Sequence, residues 1–577
     1  MSQILSEEGI RELLYEDIPD LDCPSDLELE DEDDEHEEIR PQSPLNNFDT
    51  IFNSVLNQEN EAEEIQIDEP DDDNNQDEVP IPSTSKAEGT PKIKKLKRTE
   101  PNRRWKKKET ETRIPDYPHD EDRLFTVFNG CQTATDIFLK ILRCILDIIV
   151  FQTNLYATQK GKTLRLQENE FLSFLGVNML MGYHELPSKR HYWSNAPDLH
   201  VPIVAETMTR DRFDEILSCL HVNDNENIPA NCTDKLYKLR PMIEAFNKSF
   251  MNSYDGTRQL SVDESIILFK GRSSMKQYNP MKPIKRGYKL WCVADLKGYI
   301  FNFDIYQGKN DKMKNEFMEY GLGERVVLSL TKNFWGSNRI VCFDNYFNSV
   351  GLVEKLKMEN ILACGTIRHN RRGVPEKMTP DKQLQWGDHD YRVSEMGISF
   401  FKWHDNKAIN FIANFHSTEI TEVKRTQKDG TKKNVPCPTV VADYNKYMGG
   451  VDQADRYRVL YGVNRKSKKW WHRIFFGLID IAFVNAFIIT CEMHGKMSVL
   501  DARRQIAMGL ITYKDMKKTC RRSAGDQPGT SGSGPAKRRK SGYTTLKDVW
   551  LGNLEAHWPK FNNGHNSDVN YENVHFQ

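Results

Sequence analysis

A chain of 577 residues is too long for one small fold and, at roughly 150 residues per domain, has room for three or four domain-sized pieces. Its 80 Lys and Arg against 84 Asp and Glu leave a formal charge of -4, but that average conceals an asymmetry: residues 1–80 hold 29 acids and 2 bases (-27), residues 81–120 hold 6 and 12 (+6), and residues 121–577 hold 49 and 66 (+17), so an acidic arm cancels a basic body. The N-terminus lacks a basic n-region and an apolar h-region, which argues against secretion, and eleven cysteines without a single C-x-x-C argue against a disulfide scaffold or a Cys-rich zinc site and for a reducing compartment.

Residues 1–118, with runs such as LEDEDDEHEE, are too polar to fold alone and predict a disordered acidic tail. Within it the basic cluster at 91–108 (PKIKKLKR, then RRWKKK) reads as a nuclear-localisation signal, a backbone-binding arm or a solvated linker. A folded body begins near Leu124, where ATDIFLKILRCILDIIVFQTNLYATQ has helical periodicity after a Thr start signal. Further helical patterns to about residue 258 predict an all-helical first unit.

At Leu260 the period becomes strand-like: LSVDESIILF, then YKLWCVADLKGYIFNFDIYQG with a hairpin turn at DLKG, then RIVCFDNYF. A helix (SVGLVEKLKMEN) and a strand (ILACGTIR) complete an α/β unit with a mixed sheet. Residues 372–437 read as a β-rich insertion, and helical patterning resumes at about Asp443. The apolar run 474–491 carries Asp480 and Asn485 near its middle, which favours a buried core helix over a membrane span. Residues 521–577 read as a flexible Gly/Ser/Pro-rich tail without a Cys-rich zinc domain, because no cysteine follows Cys520.

Three acids stand out by position. Asp263 lies inside the first strand, and Asp344 ends the apolar strand RIVCF. Asp452 follows Gly449 and Gly450, whose small size permits close backbone approach, with Asp455 three residues later on the same helical face. Carboxylates converging in one place repel one another unless they bind divalent metal, and an oxygen-only set favours Mg2+ or Mn2+. Two such ions suit in-line phosphoryl displacement. Spacing alone leaves other roles open: Asp263 could start a turn and Asp452 could cap a helix. Bases mixed with aromatics flank the acids in GRSSMKQYNPMKPIKRGYK, IRHNRRG and NRKSKKWWHR. Candidate phosphate contacts are Arg272, Lys276, Lys285, Arg286, Arg368, Arg371, Arg372, Lys468 and Lys469. Trp470 and Trp471 read as core or interface.

Seven ordered blocks now carry a resemblance: MTRDRFDEILSCLHVNDN, DKLYKLRPMIEAFN, SVDESIILFKGRSSMKQYNPMKPIKRGYKLW, CFDNYFNS, GTIRHNRRGVP, YNKYMGGVDQADRYR and KWWHRIFFGLIDIAFVNAFI. Across residues 121–490 the chain resembles piggyBac-type transposases and piggyBac-derived proteins. The resemblance implies an RNase H-like catalytic core (259–371 and 438–456) interrupted by the insertion at 372–437. An α-helical dimerisation and DNA-binding part (121–258 and 457–520) accompanies it. It places catalytic and metal-binding roles on Asp263, Asp344 and Asp452, with Asp455 as a neighbouring catalytic acid, and implies two Mg2+ or Mn2+ ions. It further implies a homodimer that cuts and joins double-stranded DNA at TTAA sites; the basic clusters add nuclear residence through an import receptor, and the polar residues of the apolar run argue for no membrane contact. Many active members end in a Cys- and His-rich zinc domain; its lack here leaves open a domesticated nuclear DNA-binding role without catalysis.

Overall fold

The computed structural model describes residues 103–522, apart from 112–113, 281, 309–315, 427–430, 464–466 and 468, with side chains described up to Tyr513. The acidic arm, the first basic cluster at 91–98, Lys468 and the tail from 523 therefore lie outside the described residues.

The described chain starts with a short strand, β1 (Trp105–Lys106), well before the body predicted from residue 121. Six helices follow: α1 (Arg123–Val127), α2 (Ala134–Gln159), α3 (Glu168–Tyr183), α4 (Pro202–Thr207), α5 (Arg210–Cys219) and α6 (Arg240–Ser253). The start of α2 is fixed by a reciprocal cap, in which Asp136 N donates to the Thr133 hydroxyl while the Asp136 carboxylate accepts from Thr133 N. One face of α2, from Ile137 through Ile141, Ile145 and Ile149, is fully buried, whereas α3 is buried almost all round.

Next come β2 (Gln259–Leu268), β3 (Lys276–Tyr278), β4 (Arg286–Asp295), β5 (Ile300–Ile305), α7 (Leu322–Thr331), β6 (Ile340–Phe343), α8 (Val350–Met358) and β7 (Leu362–Thr366). The DLKG turn joins β4 to β5 as an antiparallel hairpin, closed by Gly298 N donating to Asp295 O. Strand β2 runs antiparallel to β4 and parallel to β6, which runs parallel to β7. Every residue of β6 is buried, as a central parallel strand requires.

Residues 372–437 form β8 (His389–Ser394), β9 (Ser399–His404), β10 (Ala408–Ala413), β11 (Ile420–Thr426) and β12 (Lys432–Pro438). They do not stand apart from the sheet. β10 pairs with β7, and the ten-stranded sheet runs β1-β8-β9-β10-β7-β6-β2-β4-β3, with β5 also on β4; β11 and β12 make a separate ribbon. The reason is burial: Phe400 and Ile412 are 2 % exposed or less and pack into the main core.

The chain closes with α9 (Thr439–Tyr447), α10 (Gly450–Leu460), α11 (Trp470–His494) and α12 (Val499–Arg522). Helix α11 is apolar and long enough to span a membrane, but it is buried inside the protein. The two polar residues in its middle, Asp480 and Asn485, are satisfied there. Asn485 donates to Ile300 O (2.8 Å) and accepts from Ile300 N (2.9 Å), mimicking a strand partner at the head of β5. Asp480 pairs with the buried Arg503 (2.8 Å) and accepts from Val463 N (3.1 Å). These are the partners that buried polar groups demand.

Candidate active site

Asp263 lies mid-way along β2, where side chains alternate between faces. Glu264 pairs with Lys289 (3.0 Å). The parallel register of Val262 opposite Phe343 carries forward to set Asp344, the first residue beyond β6, beside Asp263. Asp344 turns the chain: its Oδ1 accepts from Tyr346 N (2.9 Å).

Helix α10 brings in Asp452 from the other side. A Cβ on Gly450 would collide with the Asp295 carbonyl and the Ser261 hydroxyl, and Gly298, at φ +91°, offers the same clearance to Ala454 N. The helix can therefore lie directly on β2 and the β4–β5 turn, which puts Asp452 in its first turn over Asp263. Gly449, by contrast, faces open space. The close approach belongs to one glycine of the pair.

Between the two acids lies a side chain that the sequence reading missed. Lys282 Nζ is 3.2 Å from Asp263 Oδ2 and 3.2 Å from Asp452 Oδ1. Burial works against its charge, but Asp263, Asp452 and Asp455 outweigh that and hold its pKa above the usual lysine range. Burial, and then the charge of Asp263, push the Asp344 carboxyl up to about 6. Asp452 is pushed up to about 6 by burial; Lys282 pulls it back, and Asp263 and Asp455 raise it further.

Asp455 is engaged elsewhere. Its Oδ1 accepts from Ser265 Oγ (2.6 Å) and from Arg458 Nη2 (2.9 Å), while Arg458 also donates to Ile266 O (2.9 Å). It ties α10 to β2. Among the described residues, no three His, Cys, Asp or Glu side chains form a group that could hold a metal ion. What the structure presents is Asp263 and Asp452 bridged by an ammonium, with Asp344 next to Asp263. The donors are all carboxylate oxygens, and burial together with neighbouring negative charge raises the pKa of Asp344 and Asp452. An all-oxygen donor set is the chemistry that a hard divalent cation prefers.

The basic candidates divide by position. Arg371 donates to the carbonyls of Asn345 and Tyr346 (both 3.0 Å), and Arg368 to Asn345 Oδ1 (3.1 Å), so both brace the turn that follows Asp344. Arg372 is exposed next to them. Lys276 donates to Gly271 O (2.9 Å), and Arg286 lies over the Tyr278 ring at 5.3 Å. Arg272 and Lys285 are exposed on the same stretch. Lys469 is turned to Ser218 O (2.9 Å). Trp471 is buried and packs near His221, and Trp470 is half-buried at the edge of Tyr288.

The basic cluster at 103–108 is docked rather than free. Arg103 forms a bidentate pair with Glu354 (2.7 and 2.8 Å), Trp105 Nε1 donates to Gly373 O (2.9 Å), and Lys107 lies 3.3 Å from Asp390. A run of bases followed by polar residues carries no signal for such docking; Trp105, an aromatic in the run, was the available hint.

Residues 133–487 match the family described as Transposase IS4. Over 449 residues the chain is 34% identical to human piggyBac transposable element-derived protein 3, covering 75% of this chain and 74% of that one. The chain belongs to the piggyBac family. A second human member, piggyBac transposable element-derived protein 2, is 31% identical over 374 residues, covering 63% of this chain and 62% of that protein. Among solved structures, the cryo-EM structure of the piggyBac transposase synaptic complex with hairpin DNA matches with a TM-score of 0.57 at 23% identity, over 70% of this chain and 88% of that one. That likeness shows the shared piggyBac fold.

Proposed function

We propose that this piggyBac-family chain is a cut-and-paste DNA transposase that cleaves phosphodiester bonds and transfers strands at TTAA sites with Mg2+ or Mn2+. The observation that carries the reading is that Asp263 and Asp452, from separate elements, converge on one ammonium, with Asp344 beside Asp263 through the β2–β6 register. The strand order β5-β4-β2-β6-β7, antiparallel on one side of β2 and parallel on the other, supports an RNase H-like core.

Asp263, Asp344 and Asp452 would hold the divalent ions, and Asp455 would steady α10 under them through Ser265 and Arg458. The chemistry that bound Mg2+ or Mn2+ supplies is Lewis-acid activation of a water or 3′ hydroxyl and stabilisation of the leaving oxygen. The protein's own contribution is positioning. Arg368, Arg371 and Arg372 border the Asp344 turn, and Arg272, Lys276, Lys285 and Arg286 extend from β2 to β4, so both sides of the acids offer cations to a DNA backbone. The piggyBac transposase synaptic complex with hairpin DNA supports DNA as the ligand, and action on double-stranded DNA as a homodimer is part of the same proposal. Nuclear residence, reached through an import receptor that reads the basic cluster at 91–98, completes the proposal.

A second reading has an observation of its own: the human relatives are named as transposable element-derived proteins. In that case the chain binds DNA without cutting it. Incubating the purified full chain with TTAA-flanked duplex and Mn2+ separates the two. Nicked and joined products support the transposase, whereas a gel shift without products supports the binder.

A further inference from the structure

We propose that Lys282 is a displaceable internal counter-ion: it bridges Asp263 and Asp452 while the site is free of metal, and yields that point to an entering divalent cation, its ammonium then turning to a DNA phosphate. The proposal rests on the reading of Asp263 and Asp452 as ligands of a divalent ion.

The geometry requires an exchange. An ammonium 3.2 Å from each carboxylate already neutralises the acids that would hold a divalent ion, and a second cation at that range would meet strong repulsion. The lysine must therefore leave when an ion binds.

The local chain allows it to leave. Lys282 belongs to the loop between β3 and β4, whose ends are pinned by antiparallel pairing of residues 276–278 with 286–288 and by Asn279 N donating to Lys285 O (2.8 Å). Pro280 and Pro283 stiffen the loop from within. The backbone can stay in place while the four-carbon side chain, 21% exposed, rotates outward. Outward lies a cationic rim: Lys285, on the same loop, and Arg286, the first residue of β4, are exposed. The residue type fits the task as well, since an ammonium is a compact charge that releases readily, whereas a guanidinium would lock both carboxylates in a planar fork.

Functionally, ion entry would create a new phosphate-binding lysine, and an arriving phosphate would draw the lysine away from the acids. Metal and DNA would then favour each other's binding, a coupling that must be reciprocal. A DNA-free protein would meanwhile keep its acids neutralised and resist idle loading with metal.

The test uses free Mn2+, titrated into the full chain without DNA and followed by electron paramagnetic resonance. Lys282→Met removes the competitor and should tighten Mn2+ binding by about tenfold or more, because burying two facing carboxylates without a counter-charge favours any incoming cation. Lys282→Arg keeps charge and fold and should weaken Mn2+ binding by about tenfold through bidentate bridging, which keeps the idea testable if the Met variant does not fold. Equal Mn2+ affinity in wild type and both variants overturns the displacement. If the wild type still cuts DNA in that case, the transposase reading stands alone; if no form binds Mn2+, both fall.

Discussion

Replacing Asp344 with Asn should stabilise the metal-free protein while abolishing its chemistry. The amide has the same shape, and its oxygen can still accept from Tyr346 N, so the change is mainly one of charge. Burial and the Asp263 charge raise the Asp344 pKa from 3.8 to about 6, which means that the ionised form is worse placed in the folded chain than in the unfolded one. At about 1.4 kcal/mol per pKa unit, the cost at neutral pH is on the order of 1–3 kcal/mol, the lower end reflecting the solvent that still reaches this half-buried group. The sign follows from the raised pKa: the favourable contribution is present below about pH 4, where Asp344 is protonated in both states, and is lost as pH rises through about 6. Urea unfolding in EDTA should accordingly find Asp344→Asn more stable than wild type at pH 7.5, with the gap closing towards pH 4. Saturating Mn2+ should reverse the order, since only wild type retains all three ligands. An Asn variant no more stable than wild type at pH 7.5 in EDTA would refute the electrostatic reasoning.

Other sites yield sharper structural tests. Arg103→Ala strands Glu354, which is 3% exposed, and should cost about 3–5 kcal/mol; hydrogen exchange at Trp105 and Lys106 should then accelerate as β1 loses its anchor, and Arg103→Ala with Glu354→Leu should recover most of the stability. Arg503→Met leaves Asp480 buried inside α11 and should cost a similar 3–5 kcal/mol in urea unfolding, with Asp480→Leu restoring most of it. Gly450→Ala forces α10 off the Asp295 carbonyl, costing about 1–3 kcal/mol; DNA affinity in a gel shift should hold while the cleavage rate falls, because Asp452 moves and the basic rim does not.

Much of this architecture is legible along the chain because its signals are local. The β-branched and apolar residues of LSVDESIILF, the DLKG turn and the apolar IVCF run specify β2, the β4–β5 hairpin and β6 through nearest-neighbour chemistry. Asp263 and Asp344 stand out for the same reason, each by its place in a strand. What the chain hides is long-range. Lys282 is one of several bases between Lys270 and Lys289, and only the packing of α10 across β2 selects it as the bridge. Asp455 shares a helical face with Asp452 by spacing, yet the buried Arg458 and Ser265 claim it. Strands β8 to β10 look self-contained, since their hairpins are local, but pairing with β7 joins residues far apart in the sequence. The docking of Arg103 spans a separation of 251 residues.

The most direct measurement is cleavage of end-labelled, TTAA-flanked duplex by the full chain in Mg2+ or Mn2+, run beside Asp263→Asn, Asp344→Asn and Asp452→Asn. The three-acid account predicts discrete nicks with wild type, loss of at least about a thousandfold in rate for each single variant, and unchanged gel-shift affinity throughout. Cleavage that survives any one of the three substitutions would contradict it.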